Sequence, residues 1–183
     1  NNITLLNGSL ENIADHKEVI ATVEYLIHIA TAWANTDSTY KINIDATFEL
    51  FSYLNPDIHE RTVYFSTASI LKENNEVTDA AKKHGTPYIK SKYLAFQKLQ
   101  ASEYWDKTVT VFPTAVLGGN QQAPYSHISG GLPKSTHYLN ILKWFYIDAE
   151  FHFLHAKDIA IVTERLLSAP LETKTFALGN PLL

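Results

Sequence analysis

Thr62-Val63-Tyr64-Phe65-Ser66-Thr67-Ala68-Ser69 is the stretch on which the fold turns. Its first four residues are β-branched or aromatic, the composition of a short buried strand, and the run ends directly in hydroxyl side chains. A polar segment from Lys72 to Pro87 follows, then a helical segment from Tyr88 to about Trp105, and Val109-Thr110-Val111-Phe112 repeats the strand pattern until Pro113 stops it. Strand, helix and strand at this spacing make the crossover unit of a parallel sheet.

The same alternation extends in both directions. Upstream, Ile3 to Leu6 reads as a strand closed by Asn7-Gly8, Leu10 to Ile20 as a helix and Val23 to Ala30 as a second strand. Tyr40 to Leu54 then has Ile42, Ala46, Phe48, Leu50 and Leu54 at helical spacing, stopped by Asn55-Pro56. Downstream, Gly118-Gly119 and Gly130-Gly131 bracket a polar loop. Leu139 to Ile147 reads as a helix, Phe151 to Leu154 as a strand, Ile159 to Leu167 as a helix and Thr175 to Leu178 as a last strand. The pattern predicts an α/β fold with a doubly wound, mostly parallel sheet covered on both faces. In such sheets ligands bind beyond the carboxyl ends of the strands, which directs attention to Gly8-Ser9, Ala30-Thr31, Ser66-Thr67 and Pro113-Thr114.

With 183 residues and 45% hydrophobic content, the chain has the size and composition of one globular domain. Its net charge of −4 and scattered lysines exclude the basic stripe of a nucleic-acid binder. Its longest near-apolar run, Leu26 to Ala34, falls short of the roughly 18 to 20 residues of a membrane span, so no membrane partner is expected. The absence of cysteine removes disulfides and thiolate chemistry and fits a reducing, cytoplasmic setting. With no methionine and no charged leader, Asn1 is expected to be an internal start.

The residues best suited to chemistry are Tyr88 and Lys92, four apart on one face of a helix. A phenol with a pKa near 10 is a poor base at neutral pH, and an adjacent ammonium favours the phenolate. Such a phenol can pass a proton at an alcohol or carbonyl oxygen while a cofactor passes a hydride at carbon. A hydroxyl that orients the substrate oxygen belongs at the end of the preceding strand, where Ser66 and Thr67 stand, with Ser69 in reserve.

This order of strand, Ser-Thr-Ala-Ser, polar loop and Tyr-x-x-Ser-Lys-Tyr helix resembles the extended short-chain dehydrogenase/reductases, including the NAD-dependent epimerase/dehydratase family. His28-Ile29-Ala30 resembles the family's His-x-Ala, and Asn43-Ile44-Asp45-Ala46-Thr47 its Asn-x-x-Gly/Ala-Thr. Pro113-Thr114-Ala115-Val116-Leu117-Gly118 resembles its Pro-x-x-Val-x-Gly, and His155-Ala156-Lys157-Asp158-Ile159-Ala160 its late His-Val-x-Asp-Ile/Val-Ala. The resemblance implies a Rossmann-like NAD(P)-binding domain, incomplete at the N-terminus, with a small substrate-binding part beginning over about 117–183. It implies that Tyr88 is the catalytic acid/base, that Lys92 binds the nicotinamide ribose and lowers the pKa of Tyr88, and that Thr67 orients the substrate oxygen. Gly8, Ser9, Leu10, Ala30, Thr31, Asn43, Ser66, Pro113 and Val116 join Tyr88 and Lys92 as expected contacts to NAD or NADP. Ser9 stands where the family carries an acid, which weakens the adenine contact.

The family's opening strand and glycine-rich loop have no counterpart in the chain, and about 50 residues are expected upstream for that unit. The implied activity is an oxidoreductase or a sugar-nucleotide epimerase/dehydratase, acting on a hydroxyl- or carbonyl-bearing small molecule such as a nucleotide sugar. By the same resemblance the chain pairs as a homodimer. The alternative is a family member without turnover that senses cofactor or binds a partner.

Other candidates carry structural readings. His152 and His155 lie three apart on a strand, pointing to opposite faces, so no metal site is expected. His28 reads as a packed or capping histidine, and Asp158 as the cap of the helix from Ile159. Tyr125-Ser126-His127 is placed in a substrate-facing loop, and Trp144, Phe145 and Tyr146 in core or subunit contact.

Overall fold

A computed structural model describes residues 3–33, 36–119, 152–170 and 172–179. Its main sheet has four strands, β1 (Tyr25–His28), β2 (Arg61–Phe65), β3 (Thr108–Pro113) and β6 (Thr175–Leu178), in the order β1-β2-β3-β6. All three pairings are parallel. Two further strands, β4 (Ala115–Leu117) and β5 (Phe153–His155), form a separate parallel pair.

Among the described residues the α-helices are α1 (Lys17–Ile20), α2 (Thr36–Tyr40), α3 (Thr47–Ser52), α4 (Asp79–His84), α5 (Pro87–Gln100) and α6 (Ala156–Ser168). One face of the sheet packs on a core of Phe51, Leu50, Tyr64, Ala95 and Leu99 contributed by β2, α3 and α5. The other face packs on α6 through Val63, Val111, Leu154, Ile159 and Leu166. A third cluster, Ile70, Tyr93, Phe96 and Phe112, holds the far side of α5. The expected doubly wound, mostly parallel arrangement is therefore the observed one.

Helix starts follow local chemistry. Thr86 caps α5, its hydroxyl accepting from Ile89 N at 3.3 Å, and Pro87 fills the first turn, where a missing N–H costs nothing. At α6 the cap is His155, whose Nδ1 accepts from Lys157 N at 3.2 Å, so the expected cap Asp158 lies instead in the first turn. Arg61 ties the far end of α6 to β2 by donating from Nη1 to Leu166 O at 2.8 Å and Ala169 O at 2.7 Å.

Several boundaries differ from the sequence reading. Ile3 to Leu6 is not a strand; Ile3 and Leu5 are exposed and no described strand pairs with them. The helix from Leu10 begins as a tight 3-10 turn to His16 before α1, because Asn12 leaves helical geometry. The helix expected from Tyr40 starts at Thr36, runs through a wider π-type turn over Lys41–Ala46 and continues as α3. The supposed polar loop from Lys72 contains α4, capped by Thr78 and closed by Lys82, Lys83 and His84 in its last turn, a pairing of cap and dipole that a polar run conceals. The long helix ends at Gln100, and Trp105 sits in a separate 3-10 turn.

Within the range 117–183, where a substrate-binding part is expected to begin, residues 152–179 include α6 and β6. There α6 covers β2 and β3, and β6 completes the main sheet. Tyr125-Ser126-His127, the helix expected from Leu139 and the aromatics Trp144, Phe145 and Tyr146 lie outside the described residues. Among the described residues no helix is long and apolar enough to cross a membrane.

Candidate active site

Beyond the carboxyl ends of β1, β2 and β3 lies a cavity of about 640 Å³. Its polar lining is Thr31, Ser66, Tyr88 and Lys92, together with Thr163 and Glu164 of α6; Pro113 and Val116 close one wall. The apolar lining comes from Ile27 and Ile29 on β1 and just past it, and from Ile159 and Leu167 of α6. Trp33 completes the mouth.

Tyr88 and Lys92 reach this space because α5 packs its Ser91, Lys92, Ala95 and Leu99 face inward. Lys92 is 2% exposed, and its Nζ donates to Phe65 O at the end of β2, 2.8 Å away, while resting 5.2 Å from the ring centre of Tyr64. Burial pushes its pKa down to about 8, which still leaves it mostly protonated at neutral pH. Burial of the ring pushes the Tyr88 pKa up; the Thr67 hydroxyl beside the phenol pulls it down by less, and the net displacement is upward. Desolvation of the phenol thus decides the sign. The Lys92 ammonium stands one helical turn away with one proton on Phe65 O.

Thr67 also caps the short turn Ala68–Ile70, its Oγ1 accepting from Ser69 N at 3.2 Å and donating to Ser69 Oγ at 3.2 Å. Ser66 is buried in the cavity wall, and its Oγ finds no partner among the described residues. A buried hydroxyl without a partner is a ready donor or acceptor for a ligand.

Asn43 is placed otherwise than expected. It is buried outside the cavity, and its amide is fully used: Oδ1 accepts from Thr31 Oγ1 at 3.0 Å and Ala32 N at 2.8 Å, while Nδ2 donates to Ala32 O at 3.1 Å and Ser91 Oγ at 2.9 Å. Asn43 therefore joins the loop after β1 to α5 and has no donor left for a cofactor. Ala30 is exposed outside the lining. Gly8, Ser9 and Leu10 also lie outside it; Ser9 instead caps the first 3-10 turn by accepting from Glu11 N at 3.2 Å, and Gly8 abuts His16.

His28 is packed, as expected, with Nε2 3.0 Å from Thr47 Oγ1 and its ring edge-on to Phe51 and Tyr64. Trp33, missed by the sequence reading, lies flat against Tyr88 with ring centres 4.1 Å apart. An isolated aromatic in a loop carries no periodic signal that would have found it.

Solved structures share this fold. WbmG of Bordetella bronchiseptica, in complex with NAD and UDP, superposes with a TM-score of 0.68 at 15% identity, covering 95% of this chain and 56% of that one. dTDP-glucose 4,6-dehydratase of Bacillus anthracis, in complex with NAD, gives 0.68 at 18% identity over 95% and 57%. A putative epimerase of Burkholderia cenocepacia gives 0.70 at 22% identity over 96% and 60%. The chain thus spans little more than half the length of these proteins, and at such identities the likeness speaks for the fold. Among curated proteins none matches. The model of the NAD dependent epimerase/dehydratase family matches residues 1–179, almost the full length, and the chain belongs to that family.

Proposed function

We propose that this chain carries the proton-transfer half of an NAD-dependent epimerase, dehydratase or oxidoreductase site, acting on a hydroxyl- or carbonyl-bearing small molecule of the nucleotide-sugar class. The observation that carries the reading is the meeting of three groups at the strand ends: the Thr67 hydroxyl beside the Tyr88 phenol, and a buried Lys92 ammonium one helical turn further on. Family membership and the NAD seen in WbmG and in the B. anthracis dehydratase favour the same cofactor here.

The residues present fit such a group. Ser66 Oγ is an orphaned hydroxyl in the wall, and Lys92 uses one of three ammonium protons on Phe65 O, leaving two for ribose hydroxyls. Thr31, Pro113 and Val116 supply the remaining walls. NAD, when bound, accepts or returns a hydride at the substrate carbon.

Tyr88 handles the proton. Because burial holds its pKa above the ordinary value, the phenol is protonated at neutral pH and acts first as an acid toward a carbonyl oxygen. In the reverse direction the phenolate takes the alcohol proton, with the Thr67 hydroxyl donating to the same oxygen and the Lys92 ammonium favouring the phenolate that does so. Burial of both groups strengthens these interactions relative to water.

The test uses the full-length protein. NAD and NADP are titrated against wild type and Tyr88→Phe, and turnover is measured on nucleotide sugars. Cofactor affinity is expected to persist while turnover falls roughly 10²- to 10⁴-fold. Unchanged turnover in Tyr88→Phe removes the phenol from the mechanism.

A further inference from the structure

Trp33 stands just past β1, 60% exposed, with its indole flat on the Tyr88 phenol: ring centres 4.1 Å apart and planes 9° from parallel. A tryptophan whose task was core packing would be buried, as Phe51 and Phe96 are. The ring that this one covers belongs to the residue assigned the proton. A flat stack does two things to a phenol: it stops the ring from turning about its own axis, and it removes one face from water.

The loop bearing Trp33 is held in register with Tyr88 by a continuous chain of hydrogen bonds. Ala32, next to Trp33, is fixed at both N and O by the Asn43 amide. Asn43 Nδ2 donates to Ser91 Oγ at 2.9 Å, and Ser91 Oγ donates to Tyr88 O at 2.8 Å. The indole and the phenol are therefore located by one framework, so their stacking is fixed on both sides of the contact. Asn43 sits inside the wider π-type turn, a departure from regular helix that lets its side chain face both the loop and α5.

We infer that Trp33 is a positioning residue for proton transfer: its indole fixes the plane of the Tyr88 phenol and keeps water from one face, with Asn43 setting its loop against α5. The inference rests on the reading of Tyr88 as the proton carrier. Its physical consequence is separable from turnover, because the stack governs how well the phenol is solvated. Burial is the main reason that Tyr88 titrates above its ordinary value, so uncovering the ring brings that titration down. The other polar or titratable groups around Tyr88 stay in place in a Trp33 variant: Thr67 and Tyr64 from the β2 end, Lys92 on α5 with His28 beyond it, and Glu164 of α6 across the cavity.

The experiment compares Trp33→Ala and Trp33→Phe in the full-length protein. Phenolate absorbance is followed on raising pH, and the Tyr88 contribution is isolated by subtracting the same titration in each Tyr88→Phe double variant. In Trp33→Ala the Tyr88 titration is expected at lower pH than in wild type, and kcat on a nucleotide sugar is expected to fall on the order of tenfold to a hundredfold. Trp33→Phe, which keeps a flat ring, restores most of both. A Tyr88 titration that stays put in Trp33→Ala overturns the inference, whatever the turnover. A titration that moves in a protein without turnover supports the stack as the cover of Tyr88 and overturns the enzymatic reading instead. Equal loss of kcat in Trp33→Phe and Trp33→Ala also overturns it, since the ring, and not the indole nitrogen, is what positions.

Discussion

The two faces of β1 are unlike. On one, Leu26 packs into the core beneath α3 and α5, and His28 is 3% exposed with its ring against Phe51 and Tyr64. On the other, Tyr25 and Ile27 are each 43% exposed. β2, paired to it in parallel, has no such asymmetry and is buried on both faces from Thr62 to Phe65. The difference separates two tasks. The α5 side is packed tightly enough to hold Lys92 and Tyr88 in one arrangement, whereas the α6 side of β1 is cavity wall, where space is the useful property.

The largest effect should come from loosening the tight side. Phe51 is fully buried between α3 and the sheet, touching His28, Phe48 and Tyr104 with its ring. Phe51→Ala is expected to cost about 3 to 5 kcal/mol of unfolding free energy, read from the urea midpoint at unchanged slope. A cost under about 1 kcal/mol would mean that this side is not close-packed and that the contrast between the faces fails.

His28 offers a second test of the same side, by pH. Burial, aided by the Lys92 charge, pushes its pKa down to about 4 from an ordinary 6.5. The neutral ring is thus the folded form, and below pH 6.5 the unfolded chain takes up a proton that the folded one refuses. Stability from this group is complete above pH 6.5 and is lost as pH falls toward about 4, on the order of 3 kcal/mol at about 1.4 kcal/mol per pH unit. The midpoint of urea unfolding, followed from pH 7 to pH 4, is expected to drop more steeply in wild type than in His28→Gln. Parallel curves would place the acid sensitivity elsewhere.

What the sequence disclosed, and what it concealed, follows the same division. The central strands, the Tyr88–Lys92 helix and Thr67 were legible because each is a local pattern: a β-rich run, a four-residue offset, a hydroxyl at a strand end. The short strand β4 and the helix α4 escaped because three apolar residues or a capped polar turn carry too little periodicity. Asn43 was read as a cofactor contact, since the residue type alone cannot reveal that four hydrogen bonds already exhaust its amide. The net direction of the Tyr88 displacement is not legible for a related reason: a lysine one turn away is visible in sequence, but the indole that covers the phenol is not.

The finest test compares two register partners. Ile27 and Val63 are paired between β1 and β2 and point to the same face, toward α6, yet Ile27 is 43% exposed and Val63 is 0% exposed. Propensity and residue class are nearly matched, so only the covering differs. Val63→Ala removes methyl groups from a filled space and should cost about 2 kcal/mol, transfer and cavity together. Ile27→Ala removes more carbon but from a cavity wall, and should cost about 1 kcal/mol or less. Because Ile27 lines the same cavity as Tyr88, its loss should instead appear in the affinity for whatever molecule fills that space, measured by titration calorimetry with NAD on the full-length protein. If Ile27→Ala proves as destabilising as Val63→Ala, then in the full-length protein the outer face of β1 is core, and the apolar half of the cavity belongs to packing and not to ligand.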